Sequence, residues 1–155
     1  MKATLLLSDL HLAPERPASA AAFEAFARGP AREAAAVYII GDLFDAWLGD
    51  DQARRDPFAR EVAASLRALS DAGVALFIAC GNRDFLLGED FARSVGATLL
   101  GEQTLVDLAG GMDGAHARLA LLGSAVAVGA QHNAAARGGR HDRVARVLQL
   151  DRLRG

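Results

Sequence analysis

The chain has 155 residues, a length that suits one domain with a buried core. Hydrophobic residues make up 52% and charged residues 23%, with a formal net charge of −2, a balance that belongs to soluble globular chains. No apolar run reaches the 18 residues or so that a membrane span needs. The opening stretch, MKATLLLSDLHL, closes its short apolar run with Asp9 and His11 and has no small-residue cleavage site, so it reads as a first strand and the protein as cytoplasmic. The single cysteine, Cys80, leaves no intramolecular disulfide and fits a reducing compartment. It comes after the apolar run VALFIA, where a small buried thiol is the plain reading and a nucleophile the sharper one.

The pattern then predicts elements in order. Ala3 to Leu7 is a short apolar strand. Pro14 and Pro17 interrupt the chain after it, and Ser19 is placed to N-cap a helix running to about Arg28, which Gly29-Pro30 ends. Ala31 to Ala36 adds a turn or two, and Val37 to Ile40 is a second, β-branched and aromatic strand. Gly41 to Asp51 is a loop rich in acids. Asp56-Pro57 opens a helix as an N-cap followed by proline does, and Phe58, Val62, Leu66 and Leu69 fall on one face of it. Gly73 marks its stop, Val74 to Ala79 is a third strand, and Glu89 to Val95 is a short helix. Strand and helix alternate throughout, which is the pattern of an α/β fold with a parallel sheet. Beyond Thr98, Gln103–Leu108 and Ala117–Leu122 read as a hairpin in a second sheet.

Ligands in open α/β sheets bind beyond the carboxyl ends of the strands. Here those ends read SDLH, GDLFD and GNRD. Asp9 and His11, at i and i+2, lie on one side of an extended chain. Asp42 closes the second strand with Asp45 shortly after it, and Asn82, Arg83 and Asp84 come after the third. Each motif alone has an ordinary reading as a turn. Together, carboxylates, imidazole and an amide oxygen form a mixed O/N donor set that suits Mn²⁺ or a similar divalent ion. A carboxylate such as Asp42 can bridge two such ions and so clamp a phosphate.

These motifs resemble those of the calcineurin-like metallophosphoesterases, whose pattern is D-x-H, G-D-x-x-D, G-N-x-[DE], then a histidine-bearing strand end and G-H-x-H. SDLHLAPERP, GDLFDAWLGDD and GNRDFLLG are most similar to the branch acting in lipid A biosynthesis, and the likeness covers about residues 1–122. The resemblance implies an α/β sandwich of βαβ units and mixed sheets, here incomplete at its C-terminal side. It implies a centre of two Mn²⁺ ions, with Asp9, His11, Asp42 and Asn82 as metal ligands and Asn82 and Arg83 as substrate contacts. Asp45 and Asp84 then orient the loops. The implied reaction splits the pyrophosphate bond of UDP-2,3-diacylglucosamine into UMP and 2,3-diacylglucosamine 1-phosphate. The metal-activated water is the attacking group, and no side chain beyond it is assigned a catalytic role. The implied partners are that nucleotide-linked glycolipid and the cytoplasmic face of the inner membrane, held peripherally, with no nucleic acid. Trp47, Leu48, Phe85, Leu86 and Leu87 either line an acyl groove or pack the loops onto the core.

The likeness stops at LALLGSAV, where Gly123 comes directly after Leu122 and no histidine-glycine-aspartate appears. His116, His132 and His141 stand in no family motif. The charge changes sign at the same place: residues 1–122 carry a net −6 and residues 123–155 a net +4. Residues 123–155 thus read as a tail foreign to the family, and a shift of reading frame near the codon for Gly123 accounts for them. The coding DNA read in its other frames tests that account. Within the tail, Val144, Val147, Leu148 and Leu150 suggest a short amphipathic helix. The expected result is weak or absent hydrolysis. The rivals are another phosphoesterase of the superfamily, such as a nuclease or nucleotide phosphatase, and a noncatalytic fragment.

Overall fold

The computed structural model describes residues 2–101, 103–109, 116–122, 125–131 and 146–149. Strands β1 (Thr4–Ser8), β2 (Ala36–Ile40), β3 (Ala75–Ala79) and β4 (Ala97–Leu100) alternate with helices α1 (Pro17–Arg28), α2 (Gln52–Arg55), α3 (Pro57–Asp71) and α4 (Glu89–Val95). A 3-10 turn at Pro30–Glu33 leads into β2. Further strands are β5 (Gln103–Ala109), β6 (His116–Leu122), β7 (Ala125–Gln131) and β8 (Arg146–Gln149). Two sheets result: a five-stranded one in the order β4-β3-β2-β1-β8, parallel throughout, and an antiparallel one in the order β5-β6-β7. The α/β class expected from the sequence is the class observed, and β5–β6 is the expected hairpin.

Strands β1, β2 and β3 are apolar on both faces, as strands buried on both sides are. Leu5, Leu7, Val37, Ile39, Leu76 and Ile78 alternate onto one face and join the main core with Phe23 and Phe26 of α1 and Val62, Leu66 and Leu69 of α3. The residues between them, Leu6, Tyr38, Ile40 and Ala79, form a second buried cluster with Phe77 packed against it. Tyr38 and Phe77 are direct partners in the register and stack at 4.4 Å. Burial raises the Tyr38 phenol above its ordinary pKa.

Helix α3 is built as its sequence directs. The Asp56 carboxylate accepts from the Phe58 N–H at 2.9 Å, and Pro57 fills the first helical position, where no N–H is needed. Helix α1 departs from expectation: it begins at Pro17, with no side-chain cap, and Ser19 lies inside the first turn. The fixed φ of proline starts that helix without needing the serine. The short helix α2 follows the loop expected over Gly41 to Asp51 and is an addition to the expected elements. The expected helix over residues 144–150 is also corrected, since Arg146–Gln149 is a strand. It pairs with β1, Leu7 opposite Leu148, because an open parallel edge satisfies an extended chain, whereas four residues are too few for a stable helix. Gly123, His132 and His141 lie outside the described residues.

Candidate metal centre

The register places the motifs together. Ser8 pairs with Ile40 and Ile40 with Ala79, so the three chains leave the sheet side by side. The loops stay stitched past the strand ends: Asp9 N–H donates to Gly41 O at 3.2 Å, His11 N–H to Asp42 O at 2.8 Å and Leu12 N–H to Leu43 O at 2.9 Å. Asp9, His11 and Asp42 adopt positive φ, at 53°, 45° and 50°, and are the non-glycine residues among those described that do so. This region costs an L-residue roughly 1–2 kcal/mol, and such residues gather where function requires a turned side chain.

The result is convergence. One donor atom from each of Asp9, His11 and Asp42 lies within 4.8 Å of the others. Asp42 is buried, His11 half-buried and Asp9 exposed, so the cluster opens to solvent on the Asp9 side. His11 Nε2 stands 3.7 Å from Asp42 Oδ2, and Nδ1 stands 3.5 Å from Asp45 Oδ1, which Arg16 also approaches at 3.7 Å. Neither His11 contact is a hydrogen bond, and the buried Nδ1 is without one.

Asp42 Oδ1 accepts from the Arg83 N–H at 2.8 Å, which turns Oδ2 toward His11. The Asn82 amide packs on the same carboxylate. With its nitrogen inward it donates to Oδ1 at 3.3 Å and to Oδ2 at 2.9 Å. With its oxygen inward two acceptors face each other, an arrangement that a cation between them stabilises. Three acidic or imidazole donors with an amide within reach fit a divalent metal with O/N preference.

Asp84 holds this geometry from beneath. It is fully buried, and its Oδ2 accepts from the Leu43 N–H at 2.8 Å and the Phe44 N–H at 3.4 Å, while Oδ1 accepts from the Gly81 N–H at 2.7 Å. One carboxylate therefore ties the second loop to the third. Burial raises its pKa, the three backbone N–H groups pull it down, and the Asp42 charge adds to the rise. Gly81 is required by the same closeness: a Cβ there would collide with the Asp42 carboxylate and backbone nitrogen.

Arg83 is exposed, with its carbonyl accepting from the Trp47 N–H at 3.3 Å. The five apolar loop residues divide between the two readings. Trp47 and Leu87 are core: Trp47 stacks on Phe44 at 4.5 Å and meets Phe91 edge-on at 5.0 Å. Leu48, Phe85 and Leu86 are 81%, 66% and 49% exposed around the site. Cys80 is half-buried, and its thiol donates to Leu87 O at 3.2 Å. Sequence reasoning missed Asp50, which accepts from Trp47 Nε1, Gly88 N–H and Phe91 N–H. The available signal was α4 itself, whose N-cap position is Gly88, a residue without a side chain to cap it.

Over 108 residues, 70% of its length, the chain is 52% identical to the UDP-2,3-diacylglucosamine hydrolase of Shigella sonnei. The same identity over the same length holds for the enzymes of that name from Escherichia coli O81 and Shigella boydii serotype 18. Over this span the chain is similar to the UDP-2,3-diacylglucosamine hydrolases. It covers 44% of the length of these curated relatives. No protein-family model matches it. The parallel sheet with its helices and the Asp9–His11–Asp42 cluster agree with a metal-dependent hydrolase. The shared segment is partial, in line with a likeness confined to part of the chain.

Proposed function

We propose that the chain carries the N-terminal part of a two-Mn²⁺ centre for hydrolysis of UDP-2,3-diacylglucosamine to UMP and 2,3-diacylglucosamine 1-phosphate. The observation that carries this reading is the convergence of Asp9, His11 and Asp42 in a chain 52% identical over 108 residues to hydrolases of that name. Asp9 and His11 would hold one ion, Asp42 would bridge, and Asn82 would hold the second. When bound, the ions supply Lewis acidity, a nucleophilic water at neutral pH and a clamp on the leaving oxygen.

The protein's own groups bind and orient. Arg83, exposed beside Asn82, presents a planar fork to the diphosphate oxygens. Asp84 fixes the loops bearing Asp42 and Asn82. The acids Asp9, Asp42, Asp45 and Asp84 would repel a diphosphate, so the cations are needed for binding as well as for reaction. Leu48, Phe85 and Leu86 offer apolar surface to acyl chains, which supports peripheral attachment at the cytoplasmic face of the inner membrane. Among the described residues no helix is long and apolar enough to cross a membrane. Nucleic acid has no part in this reading.

Turnover by this chain is weak, because LALL is followed by Gly123-Ser124 and no histidine-glycine-aspartate supplies further donors. Titrating Mn²⁺ into the full chain, monitored by the loss of the free-ion electron paramagnetic resonance signal, tests the centre. Phosphorus NMR of UDP-2,3-diacylglucosamine with loaded protein tests the reaction. The expected result is bound Mn²⁺ with slow release of UMP. Absence of binding refutes the centre, and fast turnover refutes the weakness assigned to the missing donors.

A further inference from the structure

The geometry points to Asp50 as a positioning residue that sets Arg83 against the substrate's phosphates, an inference that rests on the proposed function. Asp50 lies off the metal cluster, at the end of the loop after β2. Its Oδ1 accepts from Gly88 N–H at 2.8 Å and from Trp47 Nε1 at 3.3 Å, and its Oδ2 accepts from Phe91 N–H at 2.9 Å. Both oxygens are therefore used, by three donors from two separate segments.

Those contacts close a ring. Trp47 reaches Asp50 through its indole and Arg83 through its backbone N–H, at 3.3 Å to the Arg83 carbonyl. Gly88 ends the segment that starts at Gly81 and carries Asn82 and Arg83. Asp50 thus holds one end of that segment directly and its middle through Trp47. Gly88 admits the carboxylate because a Cβ there would stand 2.8 Å from Asp50 Oδ2. Trp47 cannot move independently, since it is buried between Phe44 and Phe91. No acid pairs with the Arg83 guanidinium among the described residues, so its position rests on this backbone frame.

Asp50 and Asp84 divide the work. Asp84 ties Gly81 to Leu43 and Phe44 beneath the metal donors. Asp50 ties Gly88 and Phe91 to Trp47 at the outer side. Loss of Asp50 should release Arg83 and leave the donor cluster in place.

The test compares Asp50→Asn and Asp50→Glu with the unaltered full chain, read in three ways. Hydrogen exchange at the Trp47 amide reports the ring without any ligand. Mn²⁺ affinity, by electron paramagnetic resonance, reports the donors. UMP binding to the Mn²⁺-loaded protein, by calorimetry, reports Arg83. In Asp50→Asn the Trp47 amide exchanges faster, UMP binds about tenfold more weakly, and Mn²⁺ affinity stays within about twofold. Adding Arg83→Ala to Asp50→Asn weakens UMP no further, because both changes remove one interaction. Asp50→Glu, which keeps the charge, recovers part of the UMP affinity. Unchanged exchange at Trp47, unchanged UMP affinity, additive losses with Arg83→Ala, or an equal fall in Mn²⁺ affinity would each overturn the role. Failure of the unaltered, Mn²⁺-loaded chain to bind UMP counts against the proposed function, and the Trp47 amide then decides the ring by itself.

Discussion

The site has an inner region and an outer one, and they are built by different means. The inner region is Asp9, His11 and Asp42 above Asp84. Its donors project from residues at positive φ, and its loops are joined by backbone hydrogen bonds around a fully buried carboxylate. The outer region is Arg83, Leu48, Phe85 and Leu86, whose side chains are exposed and whose frame hangs on Trp47 and Asp50. Main-chain geometry thus specifies where a cation would sit, while side chains on the surface would address whatever that cation held. Substitutions in the inner region should therefore change metal binding and stability together, and those outside should change ligand binding alone.

The strongest test of this division is Asp42→Ala, which removes the donor shared by the whole cluster. Mn²⁺ affinity should fall by more than about 100-fold in the paramagnetic resonance titration. Asp84→Asn comes next. Its amide retains one acceptor and turns a donor toward an N–H, so urea denaturation should show a loss of about 1–3 kcal/mol. Mn²⁺ affinity should fall about tenfold with it. If Asp84→Asn lowered stability and left the metal untouched, the inner region would not be one unit. The pair Leu48→Ser and Phe85→Ser should weaken a diacylated UDP-sugar about tenfold. UMP affinity should not change, and stability should hold within about 0.5 kcal/mol.

The smallest effect belongs to Tyr38→Phe, a control on the far face of the sheet. The raised phenol pKa means that the folded state resists ionisation more than the unfolded chain does. Stability is intact below the ordinary tyrosine pKa and falls as pH rises through the folded one. The phenylalanine variant keeps the stack on Phe77 and loses that alkaline sensitivity. Because Tyr38 is the chain's one tyrosine, absorbance at 295 nm tracks its titration directly. A change in Mn²⁺ affinity in this variant would show that the two faces are coupled.

Legibility in the sequence depends on the range of the interaction. β1, β2, β3 and α3 are readable because apolar periodicity and the Asp56-Pro57 start are local signals. The three motifs are readable because each closes a strand, and parallel register does the rest. Asp50 is not, since its donors at Gly88 and Phe91 are 38 and 41 residues away. The same holds for β8, which is a strand because β1 offers it an edge, and for the division of Trp47 and Leu87 from Leu48, Phe85 and Leu86. Nothing in those five side chains says which will be buried.

The positive φ angles of Asp9, His11 and Asp42 have a consequence for how the molecule responds to selection. Glycine reaches that conformation without steric cost, so Asp9→Gly should melt higher than the unaltered chain and bind Mn²⁺ poorly. Heat tolerance and metal recognition pull in opposite directions at these positions. A screen that rewards only thermal survival would therefore erase the centre first, and the surviving variants would keep the fold and lose its chemistry.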